Sequence, residues 1–198
     1  DEQTDHQHHR SLWFAHADVN GIHFWGEKRG NDKRKFGTIR HAKLSSMRMG
    51  GNPCSFTAHS DWIGPEGEKV CEDVTTYQFS KTPEGFFTID FDVTIKASEG
   101  EVTLGDNKDG VMAIRLLPTM VLRKKDKSPG QGRIENSEGV KDGEAWGKRA
   151  AWCDYHGFDR KGNAVGVAIF NHPENLRHPT WWHVRDYGLF AANPFGRQ

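Results

Sequence analysis

Along residues 85–96, apolar and polar residues alternate. Phe87, Ile89, Phe91, Val93 and Ile95 occupy one set of positions, and Phe86, Thr88, Asp90, Asp92 and Thr94 the other. A period of two over this length predicts a β-strand with one buried face and one mostly polar face. Weaker runs of the same kind predict strands over residues 22–25, 36–41, 55–63, 70–79, 102–104 and 111–117. Residues 145–155 and 164–171 form a further predicted pair around the turn at 157–162. Turn chemistry separates these runs, most clearly Gly64-Pro65-Glu66-Gly67-Glu68 and Gly105-Asp106-Asn107-Lys108-Asp109-Gly110. Residues 44–50 and 120–125 carry no clear period, and no segment shows a long helical one. Many short strands at regular turn spacing predict an all-β fold with little helix. The expected architecture is an antiparallel β-sandwich of supersandwich or jelly-roll type.

Composition narrows the classes. A chain of 198 residues with 35% apolar and 27% charged residues is expected to form one domain, 1–198. Its 27 basic and 27 acidic side chains cancel, whereas a nucleic-acid binder carries a basic surplus or stripe. The one cationic run, Arg123-Lys124-Lys125-Asp126-Lys127, borders Ser-Pro-Gly and reads as a solvated loop. No stretch has the ~18 apolar residues of a membrane-spanning helix. The expectation is therefore a soluble protein that binds neither nucleic acid nor membrane. Cys54, Cys71 and Cys153 fit no zinc spacing and read as buried thiols, with a Cys54–Cys71 bridge as the alternative. The chain opens Asp-Glu-Gln, which suggests that processing or truncation removed its start and leaves the compartment, bacterial periplasm or cytoplasm, open.

Two segments concentrate chemistry. His6-Gln7-His8-His9-Arg10 packs three imidazoles and a guanidinium into five residues, ahead of Ser11-Leu12-Trp13-Phe14. If extended, it places His6 and His8 on one face, a two-point clamp for a metal or polar substrate. Near the other end, Thr180-Trp181-Trp182-His183-Val184-Arg185-Asp186-Tyr187 supplies an acid/base candidate, an anion clamp and a phenol. The two segments are expected to meet in one polar, aromatic-walled site. Asp18 and Asn20 read either as turn residues or as hydroxyl-bonding groups, and Glu135 either as a catalytic carboxylate or as an exposed loop acid. Seven tryptophans, among them Trp13, Trp25, Trp146, Trp152, Trp181 and Trp182, are each core residues by default. Beside His, Arg and Asp, some of them suit a sugar-stacking platform. Nucleotide-binding, zincin and hydrolase-elbow motifs are absent.

These residues resemble a bacterial family labelled "PmoA family" or methane oxygenase PmoA. The resemblance is carried by residues 5–15, by Asp18-Val19-Asn20-Gly21 with Phe24-Trp25, by Asn136-Ser137-Glu138-Gly139, and by Trp146-Gly147-Lys148-Arg149-Ala150 with Trp152. Its most specific part is His172-Pro173 with the run from Pro179 to Gly196. Gln7 and Ser11 depart from the family's usual Pro and Gly, and the chain is expected to lack flanking family segments at both ends. The membrane methane-oxidising subunit of that name is a bundle of transmembrane helices, which this chain does not resemble. The resemblance implies a soluble β-sandwich found among sugar-catabolic functions, without supplying a reaction.

The expected function is a carbohydrate-active enzyme that hydrolyses, eliminates or epimerises a sugar derivative. His8, His9, His183, Arg185 and Tyr187 form the catalytic set. Arg10, Asp18, Asn20, Trp25, Glu135, Trp182 and Asp186 are the substrate-binding set. A single divalent metal on His6, His8 and His183 is the candidate cofactor. The alternatives are a copper- or iron-dependent oxygenase and a non-catalytic carbohydrate-binding module. The expected partner is a sugar-derived small molecule, with self-association through exposed sheet edges as a further expectation.

Overall fold

A computed structural model describes residues 8–196. The fold is all-β, about 50% strand. Its strands are β1 (Leu12–His16), β2 (Ile22–His23), β3 (Lys35–Phe36), β4 (Thr38–Arg48), β5 (Cys54–Ile63), β6 (Lys69–Lys81) and β7 (Phe87–Lys96). They continue with β8 (Gly110–Arg115), β9 (Arg133–Asn136), β10 (Arg149–Ala150), β11 (Trp152–Phe158), β12 (Ala164–Phe170), β13 (Thr180–Val184) and β14 (Leu189–Asn193). A single turn of 3₁₀ helix, Asp142–Ala145, precedes β10. Among the described residues no helix is long and apolar enough to cross a membrane. Where the sequence suggests one domain, the contacts group the chain into two compact units.

The first unit holds residues 8–18, 25–27 and 104–196. Its larger sheet has the order β1-β8-β14-β13-β10, and its smaller one the order β12-β11-β9. All these pairings are antiparallel. The two sheets share one hydrophobic core. Ile134, Cys153, Tyr155 and Ile169 come from the smaller sheet, and Ala150, Trp182, Val184, Phe190 and Ala192 from the larger. The Tyr155 ring meets Phe190 edge-on at 6.1 Å, a favourable aromatic geometry. This is the two-layer arrangement that the alternation predicts.

Residues 145–155, read from sequence as one strand, are three pieces. The 3₁₀ turn leads into β10, which pairs with β13 in the larger sheet, and Ala151 then hands the chain to β11 in the smaller one. The β11–β12 hairpin matches the expectation, from Trp152↔Phe170 to Phe158↔Ala164. Of the expected strand over 102–104 only a bridge at Leu104 forms, and residues 120–125 contribute the isolated bridge Arg123↔Pro129.

The second unit holds residues 19–24 and 28–103. Its main sheet is an antiparallel meander, β4-β5-β6-β7, beside a two-residue parallel pair of β2 and β3. The ambiguous residues 44–48 belong to β4, whose register against β5 shifts twice, between His41 and Lys43 and between Ser45 and Arg48. Those bulges erased the period. Directly opposed residues share a face, so Phe56, Tyr77 and Phe91 form one aromatic row, with ring centroids 4.8 and 5.1 Å apart. Trp62 is buried against Phe24, and its indole donates to Asp73 at 2.7 Å. Gly37 lies under the Phe24 ring, where any Cβ would collide with that ring and with the Ile63 carbonyl.

The three cysteines are all free, so the alternative of a Cys54–Cys71 bridge is corrected. Burial pushes the Cys71 thiol up to about 11 and the Cys153 thiol up to about 12.

Candidate functional site

The site is built on the side of the larger sheet that faces away from the shared core. Register places Trp13, Ala113, Ala191 and His183 in one row across β1, β8, β14 and β13. The next row runs from Ser11 through Arg115 and Leu189 to Arg185. Ala113, Leu189 and Ala191 are buried small or medium residues.

His9, Arg115, Tyr187 and Arg185 follow one another in contact along this face. His9 stacks on Trp13 with centroids 5.2 Å apart and meets His8 edge-on at 4.3 Å. Arg115 Nη1 lies 3.3 Å from His9 Nδ1. The Arg115 guanidinium stands 5.1 Å from the centre of the Tyr187 ring, and that of Arg185 stands 5.8 Å from it. Arg185 also covers the Trp146 ring at 4.7 Å, and that ring is 41% exposed. Two cations on aromatic faces, beside an imidazole pair, suit a planar anion.

Hydrogen bonding at His9 is competitive. The Trp25 indole donates to its Nε2 at 3.2 Å while the Arg115 guanidinium faces its Nδ1. A neutral imidazole has one lone pair, and indole and guanidinium are both donors only. At most one of the two contacts is therefore a hydrogen bond at any moment while His9 is neutral. The Trp13 indole N–H, beside His9, is buried with no hydrogen-bond partner among the described residues.

The turn carrying Arg185 and Tyr187 is held from the core. Arg185 N–H donates to Leu189 O, and Gly188 N–H to Arg185 O. The Tyr155 hydroxyl lies 3.2 Å from the Arg185 carbonyl and 3.3 Å from that of Asp186, and accepts from Leu122 N–H. Asp186 gives Oδ2 to Arg123 at 2.6 Å, which makes it an anchor of this turn.

Several predicted site residues stand elsewhere. Trp182 is fully buried on the core face and donates to Ala150 O at 3.0 Å, so it is not a stacking platform. Strand alternation sends its side chain to the face opposite His183. His183 is 2% exposed, with Asp109 at 3.7 Å from Nδ1. Burial pushes its pKa down to about 4, and it is therefore a neutral interior residue. His16 is also buried, bonded through Nε2 to Gly105 O, with its pKa lowered by the same cause. Trp25 is 5% exposed and supports His9 from within.

Asn20 spends its side chain on Glu101 O and Thr103 N–H and adopts φ +54°. It is a turn residue in the second unit. Asp18 packs against Gly105, whose N–H donates to its backbone carbonyl. Glu135 belongs to the smaller sheet, where it faces Asp154 across the register and Lys141 stands 3.6 Å away. Arg10 is exposed, and His8 is half-buried in a turn ahead of β1. The extended geometry assumed for residues 6–10 does not hold at His8, and His6 lies outside the described residues. Among those described, no group of three or more His, Cys, Asp and Glu side chains could hold a metal ion.

Arg115 was missed. Its signal was a lone cation closing an apolar strand, Val111-Met112-Ala113-Ile114-Arg115, at a position where solubility does not require one.

A family model described as a family of unknown function, DUF6807, matches residues 1–198. No curated protein and no solved structure matches the chain.

Proposed function

The chain belongs to DUF6807, a family of unknown function, and for this member we propose a carbohydrate-active enzyme acting on an acidic or keto sugar derivative. One observation carries the reading: Arg115 touches both His9 and the Tyr187 ring, while Arg185 approaches the same ring and covers Trp146. In this reading Arg115 and Arg185 hold the carboxylate or keto oxygen, and the half-exposed Trp146 stacks on the sugar's C–H face. With the anion so fixed, the adjoining C–H is acidified. One of Tyr187 and His8 removes that proton, and the other returns one to the opposite face of the same carbon in epimerisation or protonates the departing β-oxygen in elimination. His9, stacked on Trp13, lies against Arg115. Hydrolysis by paired carboxylates is less suited, because Asp186 is committed to Arg123 and Glu135 stands on the other sheet. The resemblance to PmoA-labelled proteins adds the sugar-catabolic setting.

Titration calorimetry with glucuronate, galacturonate and glucose tests the binding step. At least one uronate is expected to bind about tenfold or more tightly than glucose, with the difference lost in Arg115→Ala and Arg185→Ala. Equal binding of charged and neutral sugars, or none, would sink the reading. A binding-only role is distinguished by incubating the bound uronate with the protein. An unsaturated or epimerised product supports the enzyme, and unchanged ligand supports a module.

A further inference from the structure

We propose that the β7 edge of the second unit is a self-association surface, pairing antiparallel with β7 of a second copy in one register. β7 stands at the end of the β4-β5-β6-β7 order, paired with β6. An exposed strand edge is a template for another strand, and sheets commonly guard such edges with bulges, cations or proline. The opposite edge is guarded. β4 carries two register shifts, the left-handed Ser46 at φ +51°, and Arg40, Lys43 and Arg48. β7 has neither bulge nor proline: its pairing runs unbroken from Lys96 to Phe87, and its single cation, Lys96, is its last residue.

The side chains select the register. Facing residues in an antiparallel pair lie on the same side, so a two-fold axis must pass beside a single residue and its copy. An axis at Phe91 sets Asp90 against Asp92 of the second copy, and an axis at Asp92 sets that carboxylate against itself. Both place like charges face to face, whereas axes at Ile89 or Thr94 avoid that clash but pair only five residues of β7 against the seven paired about Val93. An axis at Val93 instead opposes Val93 to Val93, Phe91 to Ile95, Asp92 to Thr94 and Asp90 to Lys96. Every one of these pairs is complementary, and each except the central one occurs twice. Asp90, Asp92, Thr94 and Lys96 are all exposed, while Phe91, Val93 and Ile95 are half-buried along a continuing apolar face. Asp90 accepts from Gln78 at 3.0 Å and Lys96 stands 3.5 Å from Glu72. A carboxylate and an ammonium each retain capacity for a second partner. The product is one continuous sheet of two meanders.

Sedimentation analysis of the full chain across a concentration series tests this. The wild type is expected to dimerise. Asp90→Lys and Lys96→Asp should each weaken the dimer about tenfold or more, by opposing like charges, and the double variant should restore it. Val93→Cys should form a disulfide-linked dimer under mild oxidation, while wild type and Thr88→Cys do not, because only position 93 meets itself. Melting curves check that each variant is folded. If a charge variant fails to fold, the Val93→Cys cross-link decides alone. A wild type monomeric throughout, a dimer indifferent to the charge changes, or a double variant no better than the singles would overturn the proposal.

Discussion

Trp181 and Trp182 are neighbours in sequence and belong to opposite faces of the same sheet. Trp182 is fully buried in the core shared by the two sheets, and its indole donates to Ala150 O at 3.0 Å. Trp181 is half-buried, with the Arg149 guanidinium over its ring at 4.5 Å. Strand alternation alone produces this division. It separates the residue that holds the sheets together from one on the face where Arg115 and Arg185 stand.

Unequal stability costs are the consequence. Trp182→Ala removes a large core side chain and should cost roughly 3–5 kcal/mol. Trp181→Ala should cost about 1 kcal/mol, much of it the cation–aromatic contact. Chemical denaturation of both variants measures the difference, and equal losses would contradict the assignment of faces.

Tyr155→Phe removes one hydroxyl that accepts from Leu122 N–H and reaches the Arg185 and Asp186 carbonyls. A loss of about 1–2 kcal/mol in stability is expected. Because those carbonyls fix the turn that carries Arg185 and Tyr187, uronate affinity should fall as well. Calorimetry on a variant that remains folded at the assay temperature separates the two effects.

Stability should decline on mild acidification. His183 has its folded pKa pushed down to about 4 by burial, against about 6.5 in the unfolded chain. Between these values the unfolded chain binds more protons, so stability rises with pH across this window and is fully present above about 6.5. It is lost progressively as pH falls towards 4, on the order of 3 kcal/mol from this residue. His16 adds to the loss in the same direction. Urea titrations at stepped pH check the slope, which His183→Gln should flatten.

Thiol reactivity should separate the cysteines. Cys71 and Cys153 are each about 1% exposed or less, with thiols pushed up to about 11 and about 12, whereas Cys54 is half-buried. Reaction with a disulfide reagent at pH 8 should modify one thiol quickly in the native protein and three after unfolding. Two fast native thiols would refute this placement.

The alternation of Phe87 to Ile95 predicted β7 without reference to anything outside it, because strand faces follow from local backbone geometry. The turn at Gly64–Glu68 was equally legible: its Gly64 and Gly67 N–H groups bond within the turn itself. The concentration of chemistry in residues 8–13 and 181–187 was also plain, since side-chain type is written in the chain. Which of those groups share a surface was not. Trp13 reaches the His183 row only through Ala113 and Ala191, and Arg115 joins His9 from a position 106 residues away. Such placement depends on lateral pairing between distant strands, and a shift of one residue in that register reverses every side chain. The sequence by itself determined the all-β class and the residue types of the site. The tertiary structure alone decided that Arg115 enters it, and that Trp182 and His183 lie inside the protein.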